Sequence, residues 1–274
     1  MENIERLDLP SIKEFRDNYL KPGKPVIIKG LSDQWPAYKN WNPEYLAKLA
    51  GDRLLNVSQM DSGDYVSSKN FKMTLRDYLN KLGSNHETRL KLYLAELPIL
   101  KYLPELLDDL ILPDYFKKTE SDPNCFLYVG KGVFSQLHFH TMGSAMLTPL
   151  YGYKKIRLFA PDQTRYLYKY PWYSANNNMS KTTELNPDSK IFPEFEKAKY
   201  VDLTLNRGEV LFIPIYWWHG VTNEVMNIAV VTFWGEKLFR RMPPSALVFD
   251  YLFGIFKDSP NITRGIWQKL KSLF

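Results

Sequence analysis

Gln136-Leu137-His138-Phe139-His140 places two of the chain's four histidines two residues apart. On a β-strand alternate side chains share a face, so this spacing predicts that both imidazoles point the same way. A third, His219, closes the apolar run Val210-Leu211-Phe212-Ile213-Pro214-Ile215-Tyr216-Trp217-Trp218, which reads as a buried strand. Three imidazoles aimed into one cavity form a metal-site pattern. Neutral imidazole offers a nitrogen lone pair at neutral pH and suits iron, zinc, copper and nickel alike. Spacing leaves the metal open, and it equally leaves open a pair of hydrogen-bonded strand histidines with no ligand role.

Outward from these runs, composition sets the class. The chain has 274 residues, 45% of them hydrophobic and 15% aromatic, ample for a sizeable core. Its formal charge is +6, but lysines and arginines are mixed with acids along the chain, so no nucleic-acid footprint is expected. The one sizeable basic cluster, Lys237-Leu238-Phe239-Arg240-Arg241, is short. A single cysteine, Cys125, excludes an internal disulfide framework and fits a reducing compartment. Met1-Glu2-Asn3-Ile4-Glu5-Arg6 lacks the basic-then-apolar order of a signal peptide, so a cytoplasmic location is expected. The longest uninterrupted apolar run, residues 210–218, is far short of the roughly 20 residues that span a bilayer.

Residues 1–124 read as helices and strands flanking a barrel. Ser11 has capping-box spacing to Glu14, Asn42 precedes a first-turn Pro43 in a helix that Gly51 can close, and Thr74 can cap Leu75–Leu82. Pro25–Lys29, Leu54–Ser58 and Lys91–Ala95 read as strands, and Pro98–Leu110 as short helices interrupted by Pro104. Residues 125–236 change to strands joined by turns: Phe126–Val129, Gln136–His140, Lys154–Phe159, Tyr200–Leu205, Val210–Ile213 and Asn227–Trp234. This is an antiparallel barrel signature. Tyr166–Phe192 is too long for a hairpin turn and is expected to be a loop over one end of the barrel. Residues 237–274 return to helical patterning, with an apolar stripe of Ile262, Ile266, Trp267, Leu270 and Phe274. All three parts are expected to form one structural domain.

The His138-Phe139-His140 pair, the downstream segment Gly152-Tyr153-Lys154-Lys155-Ile156-Arg157-Leu158-Phe159-Ala160-Pro161 and the run Arg207–His219 together resemble one family, the JmjC-type, cupin-like Fe(II)- and 2-oxoglutarate-dependent oxygenases. Within it the likeness is to the asparaginyl hydroxylases, then to the tRNA wybutosine hydroxylases and Jumonji lysyl and arginyl hydroxylases. The resemblance is strongest over about residues 125–235. It implies a mostly β fold with some α, a double-stranded β-helix or jelly-roll barrel with N-terminal α/β elements and C-terminal helices. In that family His-x-Asp (or Glu) and a distal His hold the metal and leave adjacent positions open for the oxoacid and dioxygen. His138 and His219 match the first and third ligands. His140 stands where the carboxylate is expected, which leaves one more positive charge on the metal centre.

For the cosubstrate, the resemblance assigns Lys154 to the distal carboxylate of 2-oxoglutarate, with Tyr93 and Ser135 adding hydroxyls. Strand alternation independently turns Lys154, Ile156 and Leu158 to one face, and a lysine on an apolar face is costly to bury unless it meets an anion. Thr232 stands where the asparaginyl hydroxylase carries a polar Asn. Ser144 or Ala145 stands for an Asn that usually follows the second ligand, and the spacing from His138 to Gly152, one residue longer than in the relatives, is expected to form a bulge. The implied activity is a non-haem dioxygenase that uses Fe(II), held by His138, His140 and His219, with 2-oxoglutarate to hydroxylate a side chain of a peptide or protein. Trp217, Trp218, Trp234 and Tyr166–Tyr173 are candidates for lining the substrate groove. Two other readings stand beside it: a three-histidine cupin oxygenase that needs no oxoacid, and a non-catalytic peptide-binding barrel. The resemblance also implies a homodimer paired through the C-terminal helices.

Overall fold

Local capping starts the helices where the sequence places them. Ser11 Oγ accepts the Glu14 amide, Asn42 Oδ1 accepts that of Tyr45 at 2.8 Å, and Thr74 Oγ1 accepts that of Asp77 at 3.1 Å. Each satisfies an amide that has no partner inside its own helix. The computed structural model describes residues 3–60, 69–84, 91–112, 115 and 124–235. The short helices are α1 (Ile12–Phe15), α2 (Pro36–Asn40), α3 (Pro43–Ala50), α4 (Leu75–Gly83) and α5 (Ile99–Tyr102). The strands are β1 (Arg6–Asp8), β2 (Val26–Lys29), β3 (Leu54–Gln59), β4 (Lys69–Thr74), β5 (Leu92–Pro98), β6 (Asn124–Gly130), β7 (Val133–His138), β8 (Gly143–Tyr151), β9 (Lys154–Phe159), β10 (Val201–Leu205), β11 (Val210–Ile213), β12 (Trp218–Asn223) and β13 (Asn227–Gly235).

Two sheets face one another. The larger runs β1-β2-β11-β8-β13-β6-β5-β3-β4, and the smaller runs β10-β9-β12-β7. All pairings are antiparallel except β1 with β2. This is the jelly-roll arrangement, mostly β with a few helices, and β1 to β5 lie in the same sheet as the barrel strands. Ile156, Leu158 and Val221 from the smaller sheet meet Leu147, Leu211, Ala229 and Val231 from the larger between the layers. Each of these valine, leucine and isoleucine side chains contributes roughly 1.5–3 kcal/mol on burial. The outer face of the larger sheet is covered by helices: Leu46, Leu75 and Leu79 pack on Leu127, Val129 and Val230. Tyr78 of α4 donates to Val129 O at 2.6 Å and accepts from the Leu94 amide at 3.0 Å, tying helix to sheet.

Residues 167–200 hold no named strand. They cover the outer face of the smaller sheet, where Leu167 and Phe195 pack with Leu137, Phe139, Phe159 and Trp218. Arg157 anchors this segment. It makes two 2.7 Å bonds to Asp202, donates to Leu185 O and Asn186 Oδ1, and lies 3.9 Å from the Tyr200 ring centroid. The expected loop is therefore a second wall of the barrel as well as a cover for one end.

The sequence reading needs three corrections here. The run 210–218 is not one strand: β11 ends at Ile213, Tyr216 takes φ +66°, and β12 begins in the other sheet at Trp218. Pro214, which has no amide to donate, stands where the chain leaves the first ladder. Second, β7 ends at His138, so His140 lies beyond the strand. Third, β8, which is absent from the strands read from the sequence, is nine residues long and buried except at its end, and it shows no alternation because both of its faces are covered. The expected bulge is present in β8: Pro149 pairs with Ala229 and Tyr151 with Ile228, which leaves Leu150 as the extra residue. The C-terminal stripe and the basic cluster at 237–241 lie outside the described residues. None of the described helices is long and apolar enough to cross a membrane.

Candidate active site and metal centre

β7 and β12 pair so that His138 stands directly opposite His219. His140 follows two residues later, held off the strand by hydrogen bonds: the Tyr216 amide donates to His140 O at 2.9 Å, the Phe139 amide donates to Asn178 O at 3.0 Å, and Asn178 Nδ2 donates to Phe139 O at 2.9 Å. The outcome is convergence. Potential ligand nitrogens of His138, His140 and His219 all lie within 4.8 Å of one another. Ring centroids are 4.2 Å apart for His138 and His219, 4.7 Å for His140 and His219, and 5.3 Å for His138 and His140.

Protonation follows from the surroundings. Burial pushes the pKa of all three imidazoles down, and mutual repulsion adds to this for His140 and His219. The neutral ring is the ligand form. His138 Nδ1 lies 2.7 Å from Gln136 O and His219 Nδ1 3.0 Å from Trp217 O. A carbonyl only accepts, so both Nδ1 atoms carry the proton and both Nε2 lone pairs are free for an ion. His140 Nδ1 is buried without a hydrogen-bond partner. A cation among the three rings would use these lone pairs and offset the cost of burying them. The residues present fit a divalent metal with a preference for nitrogen ligands.

The cavity of about 230 Å³ that holds the histidines is also lined by Tyr93, Ser135 and Lys154. A bulge opposite His219–Val221 brings Ser135 and His138, three residues apart, to the same wall. Lys154 is only 1% exposed and donates to Asn223 Oδ1 at 2.6 Å. This neutral acceptor gives no countercharge, and burial brings the lysine down to about 7. A carboxylate beside it would restore the balance, so this part of the cavity fits an anionic group. Lys154 is four residues from Leu158, the partner of His219, which is roughly 13 Å of strand. Burial raises the Tyr93 hydroxyl above its ordinary pKa, opposed by a bond to Asn223. Gly130, paired with Tyr93, leaves room for that ring, since a Cβ there would lie 2.8 Å from Tyr93 Cδ2.

Thr232 is a correction. Its neighbours Val231 and Phe233 line the cavity, so alternation turns Thr232 to the opposite face, where its hydroxyl meets Cys125 Sγ at 3.9 Å. By the same parity Ala145 reaches the cavity and Ser144 does not. Trp217, Trp218 and Trp234 do not line it either. Trp217 bonds to Gly23 O, Trp218 to Thr164, and Trp234 stacks on Phe212. Tyr166–Tyr173 is likewise absent from the cavity wall, which takes Asn178 and Met179, farther along the 167–200 segment, instead. The reading from sequence missed Asn223 and Glu96. Asn223 carries no motif, and its role exists only because β12 ends beside the start of β9.

A jelly roll with three imidazoles converging in its cavity defines a cupin-like barrel. The cupin-like domain family matches residues 12–239, and the chain belongs to it. It is 32% identical to lysine-specific demethylase 8 of Xenopus tropicalis over 84% of this chain and 52% of that protein. It is 30% identical to JmjC domain-containing protein D of Dictyostelium discoideum, covering 81% and 54%. To the human tRNA wybutosine-synthesizing protein 5 it is 27% identical, covering 84% and 77%. The chain thus spans about half the length of the first two relatives.

Proposed function

We propose that this chain is a non-haem, metal-dependent dioxygenase that uses Fe(II) and 2-oxoglutarate to hydroxylate a side chain of a peptide or protein. The observation that carries the reading is one cavity with three converging neutral imidazoles at one end and a buried lysine lacking an anionic partner at the other. Kinship with JmjC-domain and demethylase proteins supports the same chemistry. His138, His140 and His219 would hold the metal. Lys154 would exchange the amide of Asn223 for the distal carboxylate of the oxoacid, steadied by the hydroxyls of Tyr93 and Ser135. Bound there, metal and oxoacid would supply the oxygen-activating redox chemistry, while the chain provides orientation and a partly dry pocket. A dimer paired through residues 237–274 and a cytoplasmic location belong to this proposal.

The test is anaerobic reconstitution with Fe(II), then admission of O2 while succinate is followed, comparing the wild type with His140→Asp and Lys154→Ala. Turnover that falls with Lys154→Ala supports the assignment; indifference to it removes Lys154 from the oxoacid site. A second reading, a three-histidine oxygenase independent of the oxoacid, is favoured by His140 in the place of a carboxylate. Oxygen consumption without 2-oxoglutarate would establish it. A chain that binds metal but consumes neither would be a non-catalytic binding module.

A further inference from the structure

Among the described lysines only Lys154 is buried, and its hydrogen-bond partner, Asn223 Oδ1, is neutral. No described carboxylate supports its charge, and burial alone brings its pKa down to about 7. At about pH 8 the group is therefore mostly the free amine, with two N–H bonds and a lone pair. One N–H is donated to Asn223. The lone pair remains, in a cavity whose walls include the apolar side chains of Leu147, Ile213, Val221 and Val231. A desolvated lysine in such surroundings is a nucleophile toward small electrophilic carbon.

The amide that holds this amine is only half used. Asn223 Oδ1 accepts from Lys154 Nζ at 2.6 Å and from Asn227 Nδ2 at 2.8 Å. Asn227 Nδ2 also meets the Val225 carbonyl, which only accepts, so Oδ1 is the Asn223 atom that faces these donors. Asn223 Nδ2 stands beside the Tyr93 hydroxyl but closes no hydrogen bond of ordinary geometry, although the residue is fully buried. A primary amide is matched at both atoms by an N–H and an oxygen joined through one carbon. A carbamate on Nζ has that pattern: its remaining N–H keeps the bond to Oδ1, and its oxygen accepts from Nδ2.

We propose that Lys154 is a carbon dioxide acceptor, carbamylated on Nζ, and that the Asn223 amide holds the carbamate at both of its polar atoms. The Nζ lone pair forms the N–C bond, one C=O π pair moves onto oxygen, and one N–H proton leaves to water, so that amine and carbon dioxide give carbamate and a proton with nothing oxidised or reduced. The step needs no metal and stands apart from the oxygenase reading. Only its consequence rests on that reading: an anion on Nζ replaces the cation that 2-oxoglutarate would meet, so carbon dioxide and the oxoacid compete.

The experiment equilibrates the full chain with 13C-labelled bicarbonate and carbon dioxide at about pH 8, follows the carbamate carbon by NMR, traps it as an ester with a trialkyloxonium salt and locates the adduct by mass spectrometry. Lys154 should carry at least about tenfold more adduct than any exposed lysine, which stays protonated at that pH, while the α-amino group serves as an internal reference. The Lys154 signal should vanish in Lys154→Met and fall about tenfold in Asn223→Asp, whose carboxylate repels the carbamate, thermal melting having shown both variants folded. Saturating 2-oxoglutarate should remove at least about half of the label. Adduct on wild-type Lys154 no higher than on exposed lysines, or undiminished in Asn223→Asp, overturns the proposal. Label on Lys154 that 2-oxoglutarate fails to displace would instead remove Lys154 from the oxoacid site and leave the carbamate standing.

Discussion

At the scale of single residues the cavity is a problem of charge balance. An unfolded lysine holds its proton to about 10.5, and folded Lys154 to about 7. Between those values the unfolded chain binds more protons, so this residue's contribution to stability rises with pH from about 7 upward. Denaturation at several pH values checks that direction. Binding a carboxylate restores the lysine's charge, so 2-oxoglutarate should carry in close to one proton at about pH 8 and almost none at about pH 6. Calorimetry in buffers of different ionisation enthalpy measures it. Lys154→Ala should weaken oxoacid binding by about 30-fold or more. Thr232→Val should change it by less than about twofold, because the hydroxyl faces Cys125. A large loss in that variant would return Thr232 to the site.

At the scale of elements, caps and short runs were legible because they depend on neighbours a few residues away. Ser11, Asn42 and Thr74 act as the caps that their spacing predicts. The split between β11 and β12 was not legible, because both strands are covered on both faces and their residues run together as one apolar stretch. Bulges hid the rest: an extra residue reverses the facing of everything beyond it, and nothing local announces it. The 167–200 segment depends on one guanidinium. Arg157→Ala should cost about 2 kcal/mol in chemical denaturation and expose that segment to proteolysis before the barrel. Simultaneous cleavage of barrel and segment would show that Arg157 does not hold it separately.

For the whole molecule, a metal held by the three imidazoles would link binding to folding, because the unfolded chain has no such convergence. A divalent ion at 100 times its Kd should raise the melting temperature by roughly 5–10 °C, and a chelator should reverse the shift. His140→Ala should lower metal affinity by more than about a hundredfold, since even partners behind the ligands cost 10–100-fold. A melting temperature indifferent to metal would mean that the rings converge without binding. By itself the sequence determined the residue types, the pairing of His138 with a partner two positions on, the polar and apolar faces of β9, and the kinship that implies a jelly roll. Only the tertiary structure decided that His138 faces His219 across two strands, that Asn223 holds Lys154, and that Glu96 turns into the cavity while Thr232 turns out of it. The reason is physical: periodicity is written in adjacent residues, whereas register and bulges are settled by strands that meet across long separations in the chain.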